Sequence, residues 1–155
     1  MNTRISGKLF EWDVLGRGRA WWDGQTRVRF YEAVRKTKTH QPAGWDPSDP
    51  PTRLANDLHA LVAEELGLKN YSELALFNSL DTPLDYFFGT DCFFEFRGWV
   101  VSVDITTNPE KQSYKANVIA LESDFENRDS MTLLASKIAH EFWMKGAAWF
   151  VARLI

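Results

Sequence analysis

At 155 residues with 45% hydrophobic side chains, the chain has the size of one compact domain with a core of its own. Its single cysteine, Cys92, excludes an internal disulfide and any cysteine-based zinc cluster. No stretch approaches the roughly 20 apolar residues of a membrane helix, and the opening MNTRISGKLFEWD lacks a signal-peptide core, so a soluble, intracellular (cytoplasmic) protein that engages no membrane is expected.

The net charge of −3 hides a polarity: residues 1 to 40 hold nine Lys/Arg against four Asp/Glu, residues 41 to 155 nine against seventeen. A basic segment beside an acidic body suits a nucleic-acid arm next to a metal site, because gathered carboxylates repel phosphate unless cations intervene. A solvated charged surface has the same composition.

In chain order, Arg27 to Tyr31 alternate polar and apolar residues, and Asp23-Gly24 is a hairpin-turn dipeptide, which predicts a twisted β-hairpin over residues 17 to 31. It would carry Arg17, Arg19, Arg27 and Arg29 among Trp21, Trp22, Phe30 and Tyr31, the mixture that holds phosphates and stacks bases. Residues 41–53, with four of the six prolines, read as an ordered loop. Thr52 is a candidate N-cap for a helix through RLANDLHALVAEELGLKN, with Gly67 at its left-handed end. YSELALFNSL reads as a second short helix, stopped at Pro83. CFFEF and WVVSVDIT are strands joined tightly at Arg97-Gly98, KANVIALE is a third strand, and a closing helix follows, broken or bent at Gly146. The result is a single α/β (α+β) domain, 1–155, with a mixed central sheet: a basic hairpin extension (1–40), the proline-rich loop (41–53) and a core (54–155).

The acidic residues of that core have meaningful positions. Asp91 lies six residues before Arg97 and Asp104 six after Gly98, so a hairpin turning there sets them level, with β-carbons about 4.5 to 5.5 Å apart. Two carboxylates so close require a shared proton or a cation between them. Mg²⁺ (or Mn²⁺) is the natural cation, since it takes oxygen ligands and bridges carboxylates to phosphate. The Ile105 carbonyl is a further candidate ligand, and Glu64 or Glu65 could complete the set from the preceding helix. Glu95, even in spacing with Asp91, faces the same side. His40, His59 and His140 have no metal-ligand spacing, and no serine or cysteine has a base nearby in sequence, which argues against a zinc protease or a triad hydrolase.

A helix glutamate, then GTD at residues 89 to 91, a hairpin, and DIT at 104 to 106 resembles the PD-(D/E)XK nuclease superfamily, over about Leu54 to Leu121. The resemblance implies a restriction-endonuclease-like αβββαβ core and Mg²⁺-dependent hydrolysis of DNA phosphodiester bonds. Asp91 and Asp104 would hold the metal, Glu64, favoured over Glu65, would assist, and the hairpin would grip the nucleic acid. The family's lysine, two residues after the second acid, is replaced here by Thr106; Lys111 and Lys115 are the candidates for its role. The alternative is a non-catalytic nucleic-acid-binding or protein-interaction module on a degenerate nuclease fold. The small single domain suggests a phage or mobile-element accessory protein, and Phe142, Trp143, Trp149 and Phe150 make the closing helix a candidate homodimer face.

Overall fold

The computed structural model describes the backbone of residues 3–111 and 115–154, and side chains over 7–111 and 115–146. Within these residues the chain is a mixed α/β fold, five α-helices around a four-stranded mixed sheet. Helices α1 (Thr3–Leu15), α2 (Phe30–Thr39) and α3 (Arg53–Glu65) precede a 3-10 turn (Tyr71–Glu73) and strand β1 (Ala75–Asn78). Helix α4 (Pro83–Phe88) leads into β2 (Cys92–Phe96) and β3 (Trp99–Thr106); β4 (Val118–Leu121), a second 3-10 turn (Glu122–Phe125) and α5 (Arg128–Leu154) follow. The strands lie in sequence order, β1-β2 and β2-β3 antiparallel and β3-β4 parallel. The described parts of the β3–β4 crossover, residues 107–117, contain no helix, and no helix among the described residues is long and apolar enough to span a membrane.

Strand alternation divides the core between two faces. Leu76, Phe94, Val101, Val103 and Ile105 pack in one cluster with Leu58 and Val62 of α3 and Leu134 and Ile138 of α5. Phe77 and Phe93 form the other with Ala33 and Val34 of α2 and Leu84 of α4, their two rings stacked at 5.1 Å. The β2–β3 turn is where the sequence placed it: Phe96 pairs with Trp99, and Arg97 and Gly98 take φ of 51° and 83°, the left-handed pair that a two-residue hairpin turn needs. Helix α3 likewise ends as expected, with Gly67 at φ 73° and Leu68 N–H donating to the Ala63 carbonyl at 3.0 Å.

Three expected elements differ. The N-terminal hairpin is replaced by two helices and an irregular link. Alternation over Arg27 to Tyr31 spans only five residues, whereas Phe30, Ala33, Val34 and Thr37 recur with helical period, and the last three are buried. Asp23 does turn the chain, but by accepting the Gln25 and Thr26 N–H groups on its side chain at 2.8 and 2.7 Å rather than by joining strands. YSELALFNSL is a 3-10 turn followed by β1, because Ala75 to Asn78 fill a ladder with Cys92 to Glu95 that outweighs their helix propensity. Helix α5 runs through Gly146 unbroken. The proline-rich loop does structural work at β1: Leu76 N–H donates to the Pro47 carbonyl at 2.8 Å, and the Trp45 indole to the Leu76 carbonyl at 2.9 Å, so the sheet edge is covered.

Gly18 fixes the link that follows α1. A β-carbon there would lie 2.2 Å from the Leu80 carbonyl oxygen, so only glycine lets this segment cross the β1–α4 loop.

Candidate active site

The paired ladder ends at Cys92 and Val103, which makes Asp91 and Asp104 the next residues on their two strands. They are 2% and 4% exposed. Asp91 is tied into the sheet at three points: its N–H donates to the Val103 carbonyl (2.9 Å), its carbonyl accepts from Ser79 N–H (2.9 Å), and its Oδ2 accepts from Ile105 N–H at 2.7 Å. By parity with Phe93 and Val100, both acids belong to the sheet face covered by α2 and α4, not the one covered by α3.

That face supplies Asp85 from α4. Thr82 caps this helix by accepting Leu84 N–H, and Gly89 at φ 56° ends it in the left-handed conformation, so Asp85 is held one short turn from Asp91. The Asp85 carboxyl lies close enough to that of Asp91 for each to shift the other's protonation. Burial raises both pKa values; for Asp91, well above the ordinary carboxylate value, the charges of Asp85, Glu11 and Asp104 add to the effect.

Glu11 comes from α1, whose Phe10, Val14 and Leu15 anchor it to the core. Burial first, then the charge of Asp85, push its carboxyl up to about 7, against the opposing pull of Lys8. Lys8 bridges Glu11 (3.6 Å) and Asp81 (3.3 Å), tying α1 to the β1–α4 loop.

Opposite α1 stands the loop after β3. The Lys111 Nζ lies 2.8 Å from Asp104 Oδ2. Burial disfavours its ammonium, but the hydrogen bond and charge of Asp104, with Asp91 and Glu11 beyond, prevail and raise its pKa. Between α1 and this loop opens a cavity of about 810 Å³, walled by Lys8, Glu11, Trp12, Asp85, Thr106 and Lys111 among others, with Ile105 also on its lining. The Trp12 indole N–H is buried without a hydrogen-bond partner, and the Arg17 guanidinium stacks on the Trp12 ring at 4.2 Å.

The sequence-derived candidates thus separate. Asp91, Asp104, Ile105 and Lys111 come together. Lys115 is exposed, its side chain running beside Gly89, two residues from Asp91. Glu64 is not brought to the acids: its exposed carboxylate accepts the Tyr71 hydroxyl at 3.0 Å and lies 3.9 Å from Arg128, because α3 covers the other sheet face. Glu65 instead accepts from Ser136 of α5. Glu95 faces the side of Asp91 but is ion-paired with Lys38 at 2.8 Å, and His59 is a core histidine bonded to the Leu74 carbonyl at 2.7 Å. Of the aromatic-basic set, Arg17 and Arg27 lie over the rings of Trp12 and Phe87, Arg19 reaches the Gln41 carbonyl, and Arg29 is the exposed N-cap residue of α2. The Trp21 indole donates to Thr37, and that of Trp22 to the Thr26 carbonyl. On α5, Phe142 is buried and Trp143 is 63% exposed, while the side chains of Trp149 and Phe150 lie outside the described residues.

Sequence reasoning missed Glu11 and Asp85. Glu11 had a signal, the helical recurrence of Phe10 and Val14 around it; Asp85 had only its place in a capped turn between Thr82 and Gly89.

Among the described residues no three His, Cys, Asp or Glu side chains are gathered tightly enough to ligate one ion. The donors present are all hard oxygens, and the charges of Asp85, Glu11 and Asp104 around Asp91 raise its pKa, a repulsion that a divalent cation relieves. No protein family, curated protein or solved structure matches this chain.

Proposed function

We propose that the protein is a Mg²⁺-dependent (or Mn²⁺-dependent) nuclease that hydrolyses phosphodiester bonds in DNA on a restriction-endonuclease-like core. The observation that carries this reading is the end of the β2–β3 hairpin: two buried aspartates on adjacent strands, with Lys111 on one of them at 2.8 Å, and Lys111, Ile105, Asp85 and Glu11 all lining one cavity. The strand order supports the core assignment, three antiparallel strands after a helix and a parallel fourth. It departs from that core in the insertion of α4 and in the helix-free described parts of the β3–β4 crossover.

Asp91 and Asp104 would hold the ion, with the remaining positions taken by water, as suits a cation that keeps much of its hydration shell. When bound, Mg²⁺ stabilises charge on phosphoryl oxygens and acidifies water. The chain's own groups divide the rest of the work. Lys111, kept protonated by Asp104, offers an ammonium where negative charge develops on the phosphate, and replaces the lysine absent at Thr106. Glu11, at about 7, accepts a proton from the attacking water, because a base works best with a pKa near the working pH. Asp85, beside Asp91, adds to the negative charge that a cation there would offset. A homodimer would use α5, where Trp143 and Met144 are exposed.

One observation favours a second reading, a non-catalytic binding module on a degenerate nuclease fold: Thr106 stands at the lysine position and Lys111 already neutralises Asp104 without a metal. Incubation with plasmid, single-stranded and branched DNA separates the two. Cutting with Mg²⁺ or Mn²⁺ that EDTA abolishes supports the nuclease; salt-sensitive binding without cutting under any of these conditions supports the module.

A further inference from the structure

Beyond the acids, an exposed cluster of aromatic rings lies on α4 and the link before α2. Trp22 meets Tyr86 (ring centroids 5.6 Å) and Phe87 (5.5 Å), Tyr86 meets Phe87 at 4.9 Å, and the Arg27 guanidinium lies over Phe87 at 5.5 Å. Core packing accounts for Phe88, which joins the cluster of Phe77 and Phe93. It does not account for Tyr86, which is 69% exposed although aromatic surface is costly to leave in water. A second cavity, of about 550 Å³, opens between Trp22 and Tyr86. Asp85 lines both this cavity and the larger one, so the aromatic surface leads through a single side chain to the acids.

We propose that the substrate is a nucleic acid with an unpaired strand, whose bases stack on Tyr86 and Trp22 and whose backbone runs past Arg27 toward Asp91 and Asp104. This rests on the nuclease reading of that site. The chemistry selects the occupant. A ring exposed on one face beside a guanidinium is a base-stacking platform with a phosphate partner. In a duplex each base is already covered above and below by its neighbours, so only an unpaired base can offer a free face. Three carboxylates line the smaller cavity: Asp81 is ion-paired with Lys8, Asp23 accepts from Gln25 and Thr26, and Asp85 is the one shared with the larger cavity, so the phosphate partner on the platform is Arg27.

The test is fluorescence anisotropy in EDTA, so that binding is read without cutting, using a labelled oligothymidylate and a blunt two-strand duplex of the same length with no loop. The single strand should bind tighter than the duplex. Tyr86→Ala should lose roughly 5- to 150-fold of the single-strand affinity, the contribution of one base stack, with little change toward duplex. Tyr86→Phe should retain it. Because the residue is exposed, both variants should keep the wild-type circular dichroism. Equal or tighter binding of the duplex, or unchanged affinity in Tyr86→Ala, would overturn the proposal, as would self-association that protects Tyr86 in place of oligonucleotide binding. None of these results depends on cleavage, so the nuclease reading stands or falls separately on the EDTA-sensitive cutting assay.

Discussion

Replacing Glu11 by glutamine is the sharpest probe of the site's electrostatics. In the folded protein this carboxyl is pushed from 4.5 up to about 7 by burial and by Asp85. A raised acid pKa means that the native state holds its proton to higher pH than the unfolded chain does. Native stability is therefore intact below pH 4.5 and declines as pH rises through about 7. At about 1.36 kcal/mol per pH unit, that interval sets a ceiling of about 3 kcal/mol. Glu11 is partly open to solvent and beside Lys8, so screening reduces the expected effect to about 1 kcal/mol. In urea unfolding in EDTA, Glu11→Gln should match wild type near about pH 4 and exceed it by about 1 kcal/mol near about pH 8. A stability difference between variant and wild type that is independent of pH, or that shifts in favour of wild type as pH rises, would refute the crowded-carboxylate account.

Other expectations follow from the same geometry. Lys111→Met should abolish metal-dependent cleavage while Lys115→Met retains most of it, since the Lys111 ammonium sits 2.8 Å from Asp104 and the Lys115 side chain is exposed; equal losses in a nicking assay would remove the distinction. Glu64→Gln should leave cleavage within about twofold of wild type, because the side chain is engaged with Tyr71 and Arg128 on the far sheet face; a loss of about a hundredfold, as for a direct ligand, would restore it to the site. Gly18→Ala should cost about 1–3 kcal/mol in urea unfolding, because its β-carbon meets backbone at 2.2 Å; an unchanged midpoint would show that the link is not clamped to the β1–α4 loop.

How far the sequence disclosed this arrangement depends on the reach of each signal. The Arg97-Gly98 turn is local, and it alone placed Asp91 beside Asp104 through the register of the two strands. The replacement for the absent lysine could be narrowed to two residues but not decided, because whether Lys111 or Lys115 reaches Asp104 depends on the path of the loop after Thr106. Glu64 misled because order along the chain says nothing about which sheet face a helix covers; parity with Phe93 points the acids toward α2 and α4. Glu11 approaches from a helix some eighty residues upstream of Asp91, a contact only tertiary packing creates. The N-terminal hairpin failed for a narrower reason, since five alternating residues fit both periods and the burial of Ala33, Val34 and Thr37 decided for the helix.

The central claim is that Asp91 and Asp104 hold a catalytic cation, and its most direct measurement is anomalous scattering from a crystal soaked in Mn²⁺. The account predicts a peak between these two carboxylates in the wild-type protein and none there in Asp104→Asn. A wild-type crystal whose Mn²⁺ binds elsewhere, with Lys111 still seated on Asp104, would contradict it.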